Sequence, residues 1–166
     1  MSEPSRDGAL WYFAYGSNMS PAIFRGRRGI QPRDARCAVL HGYRLCFDIP
    51  IGPGERGVAN LFVDGQARTH GVAYLLTPDD GERLDRSEGV PHIYHREHVE
   101  MALAGGGTVA GFTYRSTISV IGRKPSARYL GLLLDGARTH GLPAAYIRAL
   151  EALELAFDER TSTMSP

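Results

Sequence analysis

The stretch that most constrains this chain is Tyr12–Met19, YFAYGSNM, with the Ser20-Pro21 pair behind it. An apolar, aromatic run stops at Gly16-Ser17-Asn18 and a helix signal follows at once: Ser20 is a capping residue and Pro21 suits a first helical turn. A strand that passes through a glycine turn into a helix leaves several backbone N–H groups unpaired around one point, a place suited to a phosphate or a carboxylate. The turn has neither the Gly-Lys-Ser/Thr ending of a phosphate loop nor a G-x-G-x-x-G pattern. That argues for a carboxylate.

The elements around this turn read as strands first and helices last. A strand is expected at about 10–15, a short helix at about 21–28, and a strand at about 36–47, followed by the loop IPIGPGERG. VANLFV (58–63) and THGVAYLL (69–76) read as two strands of a hairpin turning at Asp64-Gly65. Thr77-Pro78-Asp79-Asp80 opens a helix that carries Leu84 and runs out near Glu88-Gly89. Strands at about 93–103 and 108–115 flank Gly105-Gly106-Gly107. From Ser126 the period becomes helical through Tyr129, Leu130, Leu133, Leu134 and Ala137; Gly141 ends that helix and Pro143 opens another. Antiparallel strands followed by a helical hairpin predict an α+β domain whose strands can curl into a barrel. One domain over 10–157 is expected, with a disordered lead at 1–9 and a flexible tail at 158–166.

Charge excludes some partners. Nineteen Lys and Arg against eighteen Asp and Glu give no excess to attract nucleic acid or a membrane surface, and Arg25, Arg27 and Arg28 read as a solvated helix end. No apolar run approaches the ~20 residues of a membrane span, and MSEPSRDG lacks a signal-peptide pattern. Cys37 and Cys46 fall on opposite faces of one expected strand and read as reduced, half-buried residues of a cytoplasmic protein. Of the six histidines, His92, His95 and His98 cannot converge on a metal from a strand, so no metal site is expected. Ser17 has no His–acid pair at a recognisable spacing and reads as a turn residue rather than a nucleophile.

Glu88 stands in LDRSEGV. Taken alone it is a helix-end glutamate of the common solvated kind; in an apolar pocket it would be a general base with a raised pKa. The combination is more specific. YFAYGSN, GVAYLL, LDRSEGV with Tyr94 behind it, and PSARYLGLLLDGARTHGLPAAY together resemble the γ-glutamylcyclotransferase family, from about Trp11 to Leu153, in the family's order and spacing. The resemblance implies a mixed, mainly antiparallel β-barrel with flanking helices. It implies an enzyme of γ-glutamyl and glutathione metabolism that needs no cofactor and cyclises γ-glutamyl amino acids or amines to 5-oxoproline, releasing the amine. It also implies site residues: Glu88 as acid and base, and Tyr12, Phe13, Ala14, Tyr15, Gly16, Ser17 and Asn18 around the glutamyl group, joined by Tyr94, Tyr114 and Tyr129. Whether the turn grips the substrate carboxylate or the developing oxyanion stays open at this stage. Such a protein is expected to be a monomer or homodimer acting on a small molecule. The competing class is a non-catalytic module that keeps the fold and binds a carboxylate or a protein partner. The presence of Glu88 argues against it.

Overall fold

The computed structural model describes residues 8–157. The expected lead and tail fall outside that range, apart from Gly8 and Ala9. Five strands close into a barrel in the order β1-β3-β2-β4-β5, with β1 at Leu10–Ala14, β2 at Asp34–Pro50, β3 at Gly57–Leu76, β4 at His95–Leu103 and β5 at Thr108–Arg115. All neighbours are antiparallel except β1 and β5, which run parallel and close the barrel through Trp11↔Gly111 and Tyr12↔Phe112. The mixed barrel with flanking helices is therefore as expected. On the face of the strands that meets the helices, Phe24 stacks on Tyr74 at 4.2 Å between ring centroids and Tyr12 packs on Phe112 at 5.4 Å. Contacts of this kind add about 0.5–1.5 kcal/mol each beyond the area they bury.

The helices are α1 at Pro78–Ser87, α2 at Ala127–His140 and α3 at Ala144–Glu151. Their ends follow the sequence signals. Thr77 Oγ1 accepts from the Asp80 N–H at 3.1 Å, Ser126 Oγ accepts from the Tyr129 N–H at 3.1 Å, and Gly141 ends α2 at φ +74°. Leu130, Leu133 and Ala137 bury the apolar face of α2. Gly136 brings α2 directly onto the turn after β1: a Cβ there would lie 2.4 Å from the Met19 carbonyl carbon.

Two local expectations are corrected. Residues 58–76 do not form a hairpin; β3 runs unbroken from Gly57 to Leu76 against β2. The pairing jumps from Tyr43↔Val63 to His41↔Arg68, so Asp64-Gly65 marks a bulge opposite Gly42, with Asp64 Oδ1 accepting from the Gln66 N–H at 3.0 Å. Nor does Ser20 cap the next helix through its side chain. Its hydroxyl donates to Asp135 Oδ2 on α2 at 2.9 Å, and the segment Ala22–Arg27 is a π-helical turn with no side-chain cap. Among the described residues no helix is long and apolar enough to cross a membrane.

Candidate active site

The chain leaves β1 at Ala14 and makes a single tight turn, Ser17–Met19, before the π-helical turn. The hydrogen bonds of that tight turn run from the Met19 N–H to the Gly16 carbonyl (3.0 Å) and from the Ser20 N–H to the Ser17 carbonyl (2.9 Å). The amides at its head, Gly16 to Asn18, therefore have no partner within the turn. Glycine is required at 16 by space. A Cβ would meet the Tyr129 hydroxyl at 3.0 Å and the Ala59 Cβ at 3.2 Å.

Asn18 organises what faces this turn. Its Nδ2 donates to Glu88 Oε1 at 2.8 Å and to the Tyr12 hydroxyl at 3.0 Å, while its Oδ1 accepts from Arg28 Nε at 3.2 Å. Its backbone carbonyl accepts from the Tyr74 hydroxyl at 3.0 Å. Both amide hydrogens and the amide oxygen are engaged, which fixes the side chain's orientation. Arg28 Nη2 also lies 3.7 Å from Glu88 Oε1.

Glu88 is the residue that ends α1, its N–H bonded to the Leu84 carbonyl at 2.9 Å, and Gly89 follows at φ +67°. Its side chain is 14% exposed. Burial pushes its pKa up, against the Asn18 hydrogen bond and the Arg28 charge, which pull it down. A carboxylate at the C-terminal end of a helix also faces the negative pole of the dipole, which acts in the same direction as burial.

Tyrosines complete the walls. The Tyr94 hydroxyl donates to the Ala59 carbonyl at 2.7 Å and the Tyr129 hydroxyl accepts from the Ala59 N–H at 3.0 Å. Ala59 lies opposite the irregularity in β2 between Cys46 and Ile49, on a part of β3 that β1 does not cover. The Tyr15 hydroxyl donates to the Tyr114 carbonyl at 2.5 Å, and the Tyr114 hydroxyl donates to Asp85 Oδ1 at 2.5 Å. Arg96 Nε donates to the same Asp85 oxygen at 2.7 Å. Burial holds the Tyr12, Tyr15, Tyr94 and Tyr114 phenols well above their ordinary range and pushes Tyr129 up to about 12. They are neutral hydrogen-bonding groups here.

These side chains line a cavity of about 170 Å3. It brings together Tyr12, Tyr15, Gly16, Ser17, Asn18, Glu88, Tyr94, Tyr114 and Tyr129. Phe13 and Ala14 stand apart from it, fully buried in the barrel wall, with the Phe13 carbonyl accepting from Thr113 Oγ1 at 2.8 Å. Sequence reasoning missed Val58, Ala59 and Arg28. The arginine cluster is split: Arg25 and Arg27 are exposed as expected, but Arg28, at the end of the π-helical turn, is half-buried on Asn18 and Glu88. No residue pattern marked it out from its two neighbours.

A closed mixed barrel with a largely buried glutamate set against a strand-to-helix turn defines a barrel class with known members. An AIG2-like family model matches residues 68–150, half of the chain. A γ-glutamyl cyclotransferase of Clonostachys rogersoniana, verK, is 33% identical over 76% of this chain and 87% of its own length. Aspergillus oryzae aclK, a γ-glutamyl cyclotransferase, is 33% identical over 87% of this chain. A solved γ-glutamyl cyclotransferase structure superposes with a TM-score of 0.77 at 26% identity over 89% of both chains. The chain belongs to the γ-glutamylcyclotransferase family. It spans 61% of the length of the A. oryzae relative and 64% of that of Claviceps purpurea gliK, which is 36% identical over 80% of this chain.

Proposed function

We propose that this protein is a γ-glutamylcyclotransferase in which Glu88 carries the protons. The observation that supports it best is the carboxylate of Glu88, largely buried and with a raised pKa, held by Asn18 against the amide head of the turn. A γ-glutamyl compound carries its own nucleophile: the α-amine attacks the γ-carbonyl carbon, the new C–N bond closes a five-membered lactam, and the original bond to the amine breaks. Because both reacting groups belong to one molecule, the step has the advantage of roughly 7–11 kcal/mol that well-oriented intramolecular reactions hold over bimolecular ones, and the protein has to select the folded conformer. Overall the α-ammonium loses two protons and the released amine gains two. Glu88 takes each from one nitrogen and passes it to the other, so the reaction balances without an outside acid or base. Its raised pKa narrows the gap to an ammonium, which favours this traffic. Arg28 and the amides of Gly16 to Asn18 form the positive side of the cavity and receive the glutamyl carboxylate.

The test is 5-oxoproline release from a panel of γ-glutamyl amino acids and amines. Glu88→Gln is expected to lower kcat about 10²–10⁴-fold, while its amide oxygen can still accept from Asn18. Folding separates a catalytic loss from a structural one. Burial favours the neutral carboxyl, so the folded state holds its proton up to a higher pH than the unfolded chain does. The neutral variant should thus melt higher at neutral pH, with the gain fading as pH falls through the raised Glu88 pKa and gone once the ordinary carboxylate range is reached. Equal turnover by a folded Glu88→Gln protein would remove Glu88 from the mechanism. No release from any donor would remove the activity.

A further inference from the structure

The cavity at the turn is small for a whole substrate: about 170 Å3 against the roughly 300–1,000 Å3 usual for ligand sites. It suits a glutamyl group, and the amine beyond the scissile bond must lie elsewhere. A second hollow of about 340 Å3 begins where the first ends, with Val58, Glu88 and Tyr94 lining both. The rest of its wall is Ile49, Ile51, Ile93 and Ile118, completed by Pro50 and Ser87. Ile51, Ile93 and Ile118 are 52%, 48% and 37% exposed. Apolar side chains exposed singly are ordinary; several around one hollow that opens at a buried carboxylate mark a binding surface.

The isoleucines are held in place. The Ile93 N–H bonds the Gly89 carbonyl at 2.9 Å, directly after Glu88. The Ile118 N–H bonds Ser116 Oγ at 3.1 Å, and Ser116 is itself gripped at its N–H and carbonyl by the Asn60 side chain, at 2.9 and 3.0 Å. The loop carrying Ile51 is tied to the one carrying Ile118 by the bonds Gly57 N–H to Lys124 carbonyl (2.9 Å) and Lys124 N–H to Glu55 carbonyl (2.7 Å). Among the described residues lining the hollow, none is basic. An acidic group entering it would be desolvated beside Glu88 without a partner.

Resting on the cyclotransferase reading, we infer that this hollow receives the substituent of the released amine, so that the preferred donors are γ-glutamyl derivatives of amines bearing a branched aliphatic or aromatic group. The leaving nitrogen then lies at the junction of the two spaces, beside Glu88, which protonates it. The apolar group rests on the isoleucines, and any carboxylate on the same amine points out to water through the open side.

The experiment compares γ-glutamyl-leucine and γ-glutamyl-phenylalanine with γ-glutamyl-glycine and γ-glutamyl-glutamate. The first pair should exceed the second in kcat/KM by at least about tenfold, mainly through KM. The double variant Ile51→Ser/Ile118→Ser, on exposed loops, should shrink the leucine-to-glycine ratio about tenfold, and Ile118→Arg should raise turnover of the glutamate donor. Calorimetric titration of the Glu88→Gln protein with the leucine and glycine compounds reads the hollow without turnover. A flat donor profile, a preference for the glycine or glutamate donor, or a ratio unmoved by the isoleucine changes overturns the hollow and leaves the activity standing. Tighter binding of the leucine compound with no 5-oxoproline from any donor supports the hollow and overturns the activity.

Discussion

The two sides of the barrel mouth are built on opposite principles. On one side Tyr12, Tyr15 and Asn18 are 4%, 5% and 5% exposed, and the polar atoms of the Asn18 side chain are all engaged. On the other, Ile51, Ile93 and Ile118 stand in the open and offer only contact area. A hydrogen-bonded wall is intolerant, because removing one partner leaves another buried polar group unsatisfied. An apolar wall is graded, since each change costs only the area it loses. On the proposed reading, lactam closure needs the first where nitrogen and carbonyl meet, and can accept the second where a variable amine departs.

The sharpest way to break this comparison is Asn18→Leu. It removes the donors to Glu88 and Tyr12 and the acceptor for Arg28 together. Loss of one positioned donor in an active site costs about 10²–10³ in kcat, and a drop of that size is expected for every γ-glutamyl donor alike. A loss confined to the apolar donors would show that the two walls are not separate.

A smaller and more specific effect is expected from Arg28→Met. The Arg28 charge pulls the Glu88 pKa down against burial, so its removal lets that pKa climb further. Glu88 must be ionised to take the first proton, and the acidic limb of the kcat/KM profile should therefore move to higher pH. KM should rise for all donors as the carboxylate loses a partner. An unmoved limb, measured across a full pH profile, would mean that Arg28 and Glu88 are electrostatically independent.

The same contrast explains what was legible in the sequence. The YGSN turn, the Thr77 cap and the Gly141 stop are local devices whose chemistry lies within a few residues, and the structure has each where the residues indicated. Glu88 and the five tyrosines around it came from a resemblance, and the barrel brings them to one cavity. Arg28 was not legible, because one member of a run of arginines is singled out only by a tertiary contact. Nor were Val58 and Ala59. They are ordinary strand residues that become a wall only because β1 covers just Val72 to Leu76 of β3 and leaves the Ala59 backbone to Tyr94 and Tyr129. The isoleucines were invisible for the same reason. They come from three separate stretches of chain and meet only after the loops around 50–57 and 116–124 lock together.

The smallest expected effect lies at Gly65, and it bears on the one strand assignment that failed. Asp-Gly between two apolar runs signals a tight hairpin, in which the glycine adopts positive φ and resists any side chain. In the structure Gly65 is within the continuous β3, it is not among the glycines at positive φ, and a Cβ placed on it meets nothing within 4 Å. Gly65→Ala should therefore not destabilise the fold. Where backbone geometry is compatible, such a change stabilises by about 0.4–1 kcal/mol, because it narrows the unfolded ensemble. Chemical denaturation measures this, and the donor profile should stay as in the parent, since the bulge opposite Gly42 is remote in sequence pairing from both walls. A clear loss of stability would mean that the chain does reverse at Asp64-Gly65. The long β2–β3 ribbon, and with it the register that sets Val58 and Ala59 beside Glu88, would then be wrong.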